Sequence, residues 1–198
     1  MTTNNADTVA TAPSLLVVLD ANVLFPTSLR DTLLRAVERR LFDRRLSQQI
    51  WDETLRNLLA TGRLTPEQIA RLDTQVQIFL SRRGAFVEGY ETLIPALTNH
   101  KKDRHVLAAA IHSNSHIIVT FNLKDFPIGA LAPHNAVSLH PDVFLTRLHA
   151  LYPDALDSVI TQQAAALKKP PVTVERLLDI LAQHVPMFVQ SARPRLPG

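Results

Sequence analysis

Four acidic residues, spread over the first two thirds of the chain, are the residues best suited to chemistry. They are Asp20, Glu53, Asp103 and Asp125. Carboxylates repel one another, so they share a pocket only when protons or a cation offset their charge. Oxygen ligands in a chain without cysteine favour hard ions such as Mg²⁺ or Mn²⁺ over zinc. If the four acids meet, they indicate a site for such an ion, which in hydrolysis activates water and stabilises charge on a phosphate.

Each of these acids also has a purely structural interpretation. An Asp that follows a strand commonly belongs to a turn. Asp103 lies in the first turn of a predicted helix, where the helix dipole stabilises an anion. Glu53 has an acidic neighbour, Asp52, and only the phase of the helix favours Glu53 over it. The chemical interpretation therefore requires that the fold bring the acids together.

Two of the acids follow segments that are predicted to be buried strands. Residues 15–19 and 117–119 are uninterrupted apolar runs, which is typical of strands buried on both faces of a parallel sheet. Asp20 follows the first run, and Thr120 and Asp125 follow the second. Ligands of open α/β sheets bind outside the carboxyl ends of the strands, so we expect these side chains to lie at the ligand-binding edge of the sheet.

Predicted helices alternate with the strands. Apolar periodicity and capping residues predict helices over about residues 28–42, 48–62 and 66–84, a small-residue helix over 106–111, and short strands over 85–90 and 136–139. The alternation of strands and helices predicts an α/β fold with a parallel sheet.

The chain divides into three predicted regions. Residues 1–14 contain no apolar block and are expected to form a disordered tail. Residues 15–140 carry the strands and the four acids. From residue 141 onward, helices are predicted at about 141–151, 154–168 and 173–184, separated by prolines and without a further acid at a strand end. Residues 141–198 are therefore expected to be a helical C-terminal appendage.

Composition and charge narrow the class of protein further. The 198 residues include 46% hydrophobic residues, no cysteine, no apolar run of membrane-spanning length and no visible signal peptide, which predicts a soluble cytoplasmic protein. The net charge of +3 and the pairs of basic residues suit a polyanionic partner. The candidate phosphate contacts are Arg30, Lys101, Arg104 and Lys124. Histidine chemistry is not expected: only His112 and His116 have ligand-like spacing, not His100 or His105, and the stretch between His112 and His116 is expected to be a helix end and a turn.

Four short motifs, in their order along residues 15–140, resemble the PIN domain and most closely the VapC-type toxins of bacterial toxin–antitoxin modules. The motifs are Val18-Leu-Asp-Ala-Asn22, a helical Glu53, Asp103-Arg-His-Val-Leu-Ala-Ala-Ala110, and Ile118-Val-Thr-Phe-Asn-Leu-Lys-Asp-Phe126. The resemblance implies a three-layer α/β/α fold and a metal-dependent endoribonuclease that leaves 5′-phosphate and 3′-hydroxyl ends. It also implies a protein antitoxin as partner and a homodimer.

The resemblance also assigns roles to residues. Asp20, Glu53, Asp103 and Asp125 resemble the family's four acids, which bind Mg²⁺ or Mn²⁺ and carry catalysis. Asn22, Thr120 and Asn122 resemble the polar residues that orient ligands or water. The C-terminal helices depart from a minimal PIN domain.

Two other classes of protein deserve comparison. A haloacid-dehalogenase-like phosphatase also has a strand that ends in a catalytic Asp, but it needs a second Asp where this chain has Asn22, and a late Gly-Asp pair that this chain lacks. A non-catalytic PIN-like module could bind RNA or protein through a basic surface. Retention of four mutually repelling acids argues against such a module.

Overall fold

The computed structural model describes residues 15–62, 64–83, 86–168 and 170–196, so the tail expected over residues 1–14 lies outside the described residues. Its centre is a sheet of four parallel strands in the order β2-β1-β3-β4. The strands are β1 (Leu16–Leu19), β2 (Asp43–Arg45), β3 (Ile117–Val119) and β4 (Val137–Leu139). Strands are added first on one side of β1 and then on the other, which makes the ends of β1 and β3 the switch point of the sheet.

Helices surround the sheet and extend beyond it. They are α1 (Ala21–Leu24), α2 (Thr27–Glu38), α3 (Gln48–Ala60), α4 (Pro66–Arg83), α5 (Arg104–His112), α6 (Ile128–Leu131), α7 (Pro141–Leu151), α8 (Pro153–Ala166), α9 (Val174–Ala182) and α10 (Pro186–Ala192). Short 3₁₀ helices cover Tyr90–Ala96, Lys101–Asp103, Leu123–Asp125, Ala132–His134 and Arg193–Arg195. This is the three-layer α/β/α PIN-like fold that the sequence predicts, with additional C-terminal helices. None of the helices within the described ranges is long and apolar enough to cross a membrane.

Local capping signals in the sequence correspond to real helix ends. The Ser47 hydroxyl accepts a hydrogen bond from the Ile50 amide at the start of α3. Before α4, Thr65 and Gln68 form a reciprocal capping box: the Thr65 amide donates to the Gln68 side chain at 2.8 Å, and the Gln68 amide donates to the Thr65 hydroxyl at 3.3 Å. Gly62, just after α3, has a φ of 63°, a left-handed conformation that favours glycine.

Two segments differ from the sequence-based expectation. The prediction of a short strand over residues 85–90 is wrong. Residues 86–88 form no strand, Gly89 has a left-handed φ of 77°, and a 3₁₀ helix begins at Tyr90. Conversely, Asp43–Arg45 forms β2 beside β1, although all three residues are polar. A parallel strand at the edge of a sheet is held by its backbone hydrogen bonds, so its side chains need not follow an apolar pattern.

The core brings α5 directly onto the central strands. Val17 and Val18 of β1 are fully buried, and so are the three alanines 108–110 of α5, which contacts β1 and β3. Small side chains allow the helix to approach the sheet closely. Because Asp20 and Asp103 lie at ends of β1 and α5, this packing also fixes the distance between them.

The C-terminal helices pack against the rest of the chain. The rings of Phe42 and Phe144 meet edge to face at 5.1 Å. The buried Gln163 of α8 contacts α2 twice: its Oε1 accepts from the Thr32 hydroxyl at 2.7 Å, and its Nε2 donates to the Ser28 carbonyl at 2.9 Å. Both polar atoms of this buried amide are hydrogen-bonded to α2, so loss of either partner would leave a buried polar atom unpaired.

A buried carboxylate joins α7 to α10. Asp142, at the start of α7, accepts hydrogen bonds from the amides of Met187 at 3.1 Å and Phe188 at 2.8 Å, which are among the unpaired donors in the first turn of α10. The buried His149 adds a second link, because its ring nitrogens contact Asp157 of α8 and Ser191 of α10. The C-terminal helices are therefore joined by polar contacts as well as by apolar packing.

Candidate metal centre at the carboxyl edge of the sheet

Asp20 occupies the end of β1 and is almost completely buried. Its Oδ2 atom accepts two hydrogen bonds of 2.7 Å each, one from the Asn22 side-chain amide and one from the Thr120 hydroxyl. Thr120 follows β3, and the register pairs Leu19 with Val119, so the two strands deliver Asp20 and Thr120 side by side. The parallel sheet thus creates this contact between residues that lie 100 positions apart in the sequence.

Asn22 and Thr120 are themselves held in place. The Asn22 Oδ1 accepts from the Phe121 amide at 3.1 Å, and its Nδ2 also donates to the Thr120 hydroxyl at 3.0 Å. The Thr120 oxygen accepts in addition from the Asn122 amide at 3.0 Å. Asn122 therefore supports the network through its backbone, while its side chain is exposed.

The negative charges of two other acids act on the carboxyl group of Asp20. Burial is the main cause that raises the pKa of Asp20 from 3.8 to about 6, and the negative charges of Asp103 and Glu53 raise it further against the opposing hydrogen bond from Thr120. Each of the three carboxylates comes from a different element of the fold. The structure therefore brings Asp20, Glu53 and Asp103 into one electrostatic environment.

Glu53 and Asp52 point to different surroundings. Oε2 of Glu53 lies 3.6 Å from Nε2 of the buried His105 in α5. Asp52 instead accepts a hydrogen bond of 2.7 Å from Gln48, one turn earlier on the same helix. The predicted phase of α3 thus places Glu53, and not Asp52, against α5.

His105 is held as a neutral imidazole. Its Nδ1 lies 2.8 Å from the Lys102 carbonyl, an acceptor, so this nitrogen carries a proton. Burial lowers the pKa of His105 against the opposing charge of Glu53, which disfavours a second proton on Nε2. Two acceptors, the Nε2 lone pair and the Glu53 carboxylate, consequently face one another.

Asp125 joins the acids through Asp103 and a histidine. Within the described chain, His100, Asp103 and Asp125 can each offer one ligand atom such that all three atoms lie within 4.8 Å of one another. The His100 Nδ1 contacts Asp103 Oδ2 at 2.9 Å, and the His100 amide donates to the Asp125 carbonyl at 3.1 Å. Clustered carboxylates and one imidazole are a donor set that fits a divalent cation.

His100 is the residue that sequence reasoning missed at this site. The spacing rule singled out His112 and His116, but the structure does not bring that pair to the acids: His112 ends α5, and the His116 ring contacts the Asn135 carbonyl at 3.1 Å. The useful signal was the placement of His100 three residues before Asp103, at the start of a helical segment.

The predicted phosphate contacts fall into two groups. Arg30 does not fit this role, because its side chain is buried and its Nη1 donates to the carbonyls of Leu24 at 2.7 Å and Phe25 at 3.4 Å. Burial accordingly lowers the pKa of Arg30. Lys101 and Lys124 are exposed beside the acids, and Arg104 is half-buried with its Nε bonded to the Asn99 carbonyl at 3.2 Å. Lys101, Arg104 and Lys124 thus remain available near the acids.

The raised pKa of Asp20 predicts a specific pH dependence of stability in the metal-free protein. The pKa is 3.8 ordinarily and about 6 in the fold, so the folded chain retains a proton that the unfolded chain releases. The stabilisation of the folded chain by this proton is fully present below pH 3.8 and is lost as the pH rises through 6. At roughly 1.4 kcal/mol per pKa unit, the loss amounts to about 3 kcal/mol.

The variant Asp20→Asn cannot ionise and should not show this loss. Its free energy of unfolding, relative to that of the original chain, should therefore rise by about 3 kcal/mol between about pH 4 and 7. Urea denaturation in EDTA at several pH values measures the difference. A difference that stays constant over this range would contradict the raised pKa.

The fold and the acids at the edge of its sheet define a PIN-like domain. A curated protein of Mycobacterium tuberculosis (strain ATCC 25618 / H37Rv), named "Putative ribonuclease VapC50", is 48% identical over 114 residues, which cover 58% of this chain and 68% of the relative. The chain belongs to the VapC family. A family model described as the VapC50 C-terminal domain matches residues 141–194. No solved structure gives a significant match.

Proposed function

We propose that this protein is a Mg²⁺- or Mn²⁺-dependent endoribonuclease and the toxin of a toxin–antitoxin pair. The observation that supports the proposal is that the charges of Glu53 and Asp103 act on Asp20, which follows β1 at the switch point, and that Asp125 lies near Asp103. Family membership supports it, since the curated relative is named as a ribonuclease.

The four acids would hold the ion, which when bound supplies activation of water and stabilisation of charge on the phosphate. Asp20 is oriented for this by Asn22 and Thr120. Asp103 is common to both groups of residues: its charge acts on Asp20, and its carboxylate contacts His100. The acids would thereby position the scissile phosphate at the edge of the sheet.

Basic residues next to the acids would bind the RNA backbone. Lys101 and Lys124 are exposed within two residues of Asp103 and Asp125, and Arg104 directly follows Asp103. Binding to phosphates carries most of the affinity of such contacts and little base specificity. The substrate is therefore proposed as single-stranded or looped RNA that can enter an open edge.

The same proposal includes partners and domain organisation. A protein antitoxin would neutralise the enzyme by occupying or distorting the carboxylate pocket, and the protein would act in the cytoplasm as a homodimer. Residues 15–140 would form the nuclease domain, and residues 141–198 would form the appendage that packs on it. A phosphatase is disfavoured because the amide of Asn22, bonded to Asp20 and Phe121, cannot serve as the acid or base.

Cleavage of RNA by the purified protein tests the proposed activity. We expect cleavage with Mg²⁺ or Mn²⁺, no cleavage in EDTA, and product ends that carry 5′-phosphate and 3′-hydroxyl groups. Binding of RNA without cleavage under all conditions would favour the non-catalytic module, and cleavage undiminished by EDTA would refute metal dependence.

Expression in a bacterial host tests the role as a toxin. We expect growth arrest, relieved by co-expression of a small protein from a neighbouring gene. Normal growth with abundant folded protein and intact RNA would contradict the toxin role. The nuclease activity would then be decided by the assay on purified protein.

A further inference from the structure

A nitrogen donor lies among the acids of the candidate metal centre. The side chain of His100 is half exposed, whereas that of Asp103 is only 15% exposed, so the imidazole is the more accessible of the two groups. One ring nitrogen of His100 and a carboxylate oxygen from each of Asp103 and Asp125 lie within 4.8 Å of one another. An all-oxygen site, as the sequence suggested, does not include such a group.

The spacing of two of these donors matches that of neighbouring ligands on one ion. Ligands at about 2.1 Å from an octahedral ion lie roughly 3 Å apart when they are adjacent. The distance from His100 Nδ1 to Asp103 Oδ2 is 2.9 Å. An ion could therefore replace the proton that joins this pair without a large movement of either side chain.

A second, independent observation is an unpartnered ring nitrogen in the same acidic region. His105 is buried, and its Nε2 has no hydrogen-bond partner among the described residues. This atom faces the Glu53 carboxylate at 3.6 Å, and Asp103 also acts on the ring. A buried polar atom without a partner in the chain indicates that a bound group lies beside it. The acidic region therefore has two features that indicate a bound group: the cluster of His100, Asp103 and Asp125, and the unpartnered Nε2 of His105.

We propose that His100 is a direct nitrogen ligand to a divalent ion held together with Asp103 and Asp125. Imidazole is a ligand of first-row transition ions, whereas Mg²⁺ takes oxygen ligands and retains water. The site therefore prefers Mn²⁺ or a later transition ion over Mg²⁺. This inference rests on the proposed function for the presence of an ion at these acids, and it adds the ligand that selects the ion.

Pulsed EPR of the full chain with bound Mn²⁺ tests the ligand directly, because a coordinated imidazole produces ¹⁴N couplings. We expect these couplings in the original chain and in the variants His105→Gln and His116→Gln, and their loss in His100→Gln. Affinity for Mn²⁺ should fall by about 10-fold or more in His100→Gln, as when a group supporting a metal site is removed. Affinity for Mg²⁺ should change less.

The variant His100→Asp separates the loss of the nitrogen ligand from a general loss of Mn²⁺ binding. It replaces nitrogen by oxygen, so it should still bind Mn²⁺ but without ¹⁴N couplings, and the fluorescence of the single buried Trp51 verifies its fold. Couplings that persist in His100→Gln, couplings absent from the original chain, or no saturable Mn²⁺ binding would each overturn the inference. RNA cleavage without ¹⁴N couplings would reject this inference alone, whereas ¹⁴N couplings without cleavage would reject the nuclease proposal alone.

Discussion

Replacement of Asp20 by Asn should reduce metal-dependent RNA cleavage by at least about 100-fold, since even groups that only support a metal site cost about 10–100-fold when removed. Asn keeps the shape of the side chain and can still accept a hydrogen bond from Thr120, so the loss would come from the missing negative charge. RNA binding should survive, because it depends on the basic residues. Single-turnover cleavage and an RNA-binding titration measure the two effects separately.

The same substitution should also weaken stabilisation by the ion. At an ion concentration of about 100 times Kd, binding stabilises the native chain by about 2.7 kcal/mol. We expect the rise in melting temperature with Mn²⁺ to shrink in Asp20→Asn. Asp52→Asn is the matched control, because Asp52 contacts Gln48 and should leave both cleavage and the Mn²⁺ effect unchanged. An Asp20→Asn variant that cleaves normally would mean that Asp20 serves only the network with Asn22 and Thr120.

Replacement of Asp142 by Ala should lower the free energy of unfolding by about 2–4 kcal/mol, the cost of losing a helix cap and leaving buried donors unpaired. Both carboxylate oxygens are used: Oδ1 accepts from Phe188 and Oδ2 from Met187 at the start of α10. Without them, α10 loses one of its polar links to α7 and keeps the contact between Ser191 and His149. Urea denaturation followed by far-UV circular dichroism measures the change.

Asp154→Ala provides the comparison for this effect. Asp154 also lies in the first turn of a C-terminal helix, but its side chain is 94% exposed and pairs with the exposed Arg195. Exposed ion pairs contribute little, so stability should be almost unchanged. Equal effects of the two substitutions would show that the Asp142 contacts with α10 are not a major source of stability.

The sequence was informative where a residue's environment follows from its neighbours in the chain. The apolar run before Asp20 predicted β1, and the ends of helices at Ser47, Gly62 and Thr65 followed from their capping chemistry. The placement of Asp20 beside Thr120 could also be anticipated, because two parallel buried strands end before them.

The sequence was uninformative where a long-range contact decides the outcome. β2 consists of Asp43, Arg44 and Arg45, whose polarity conceals a strand that forms only because β1 offers it an edge. Arg30 lies off the apolar stripe of α2, yet its long side chain reaches back to the end of α1. His100 approaches Asp125 through a contact between two short 3₁₀ segments that are far apart in the sequence, which no helical or strand periodicity encodes.

The double hydrogen bond on one oxygen of Asp20 has a consequence for the entropy of ion binding. Asn22 and Thr120 both donate to Oδ2, so rotation of the carboxylate is already restricted in the metal-free chain. Ordering a side chain that rotates freely would subtract from the binding free energy. Here the carboxylate is already ordered when β1 and β3 pair, so the entropy cost of ordering it is part of folding and not of ion binding. The pairing of β1 and β3 thus preorganises Asp20 for the cation that it is proposed to bind.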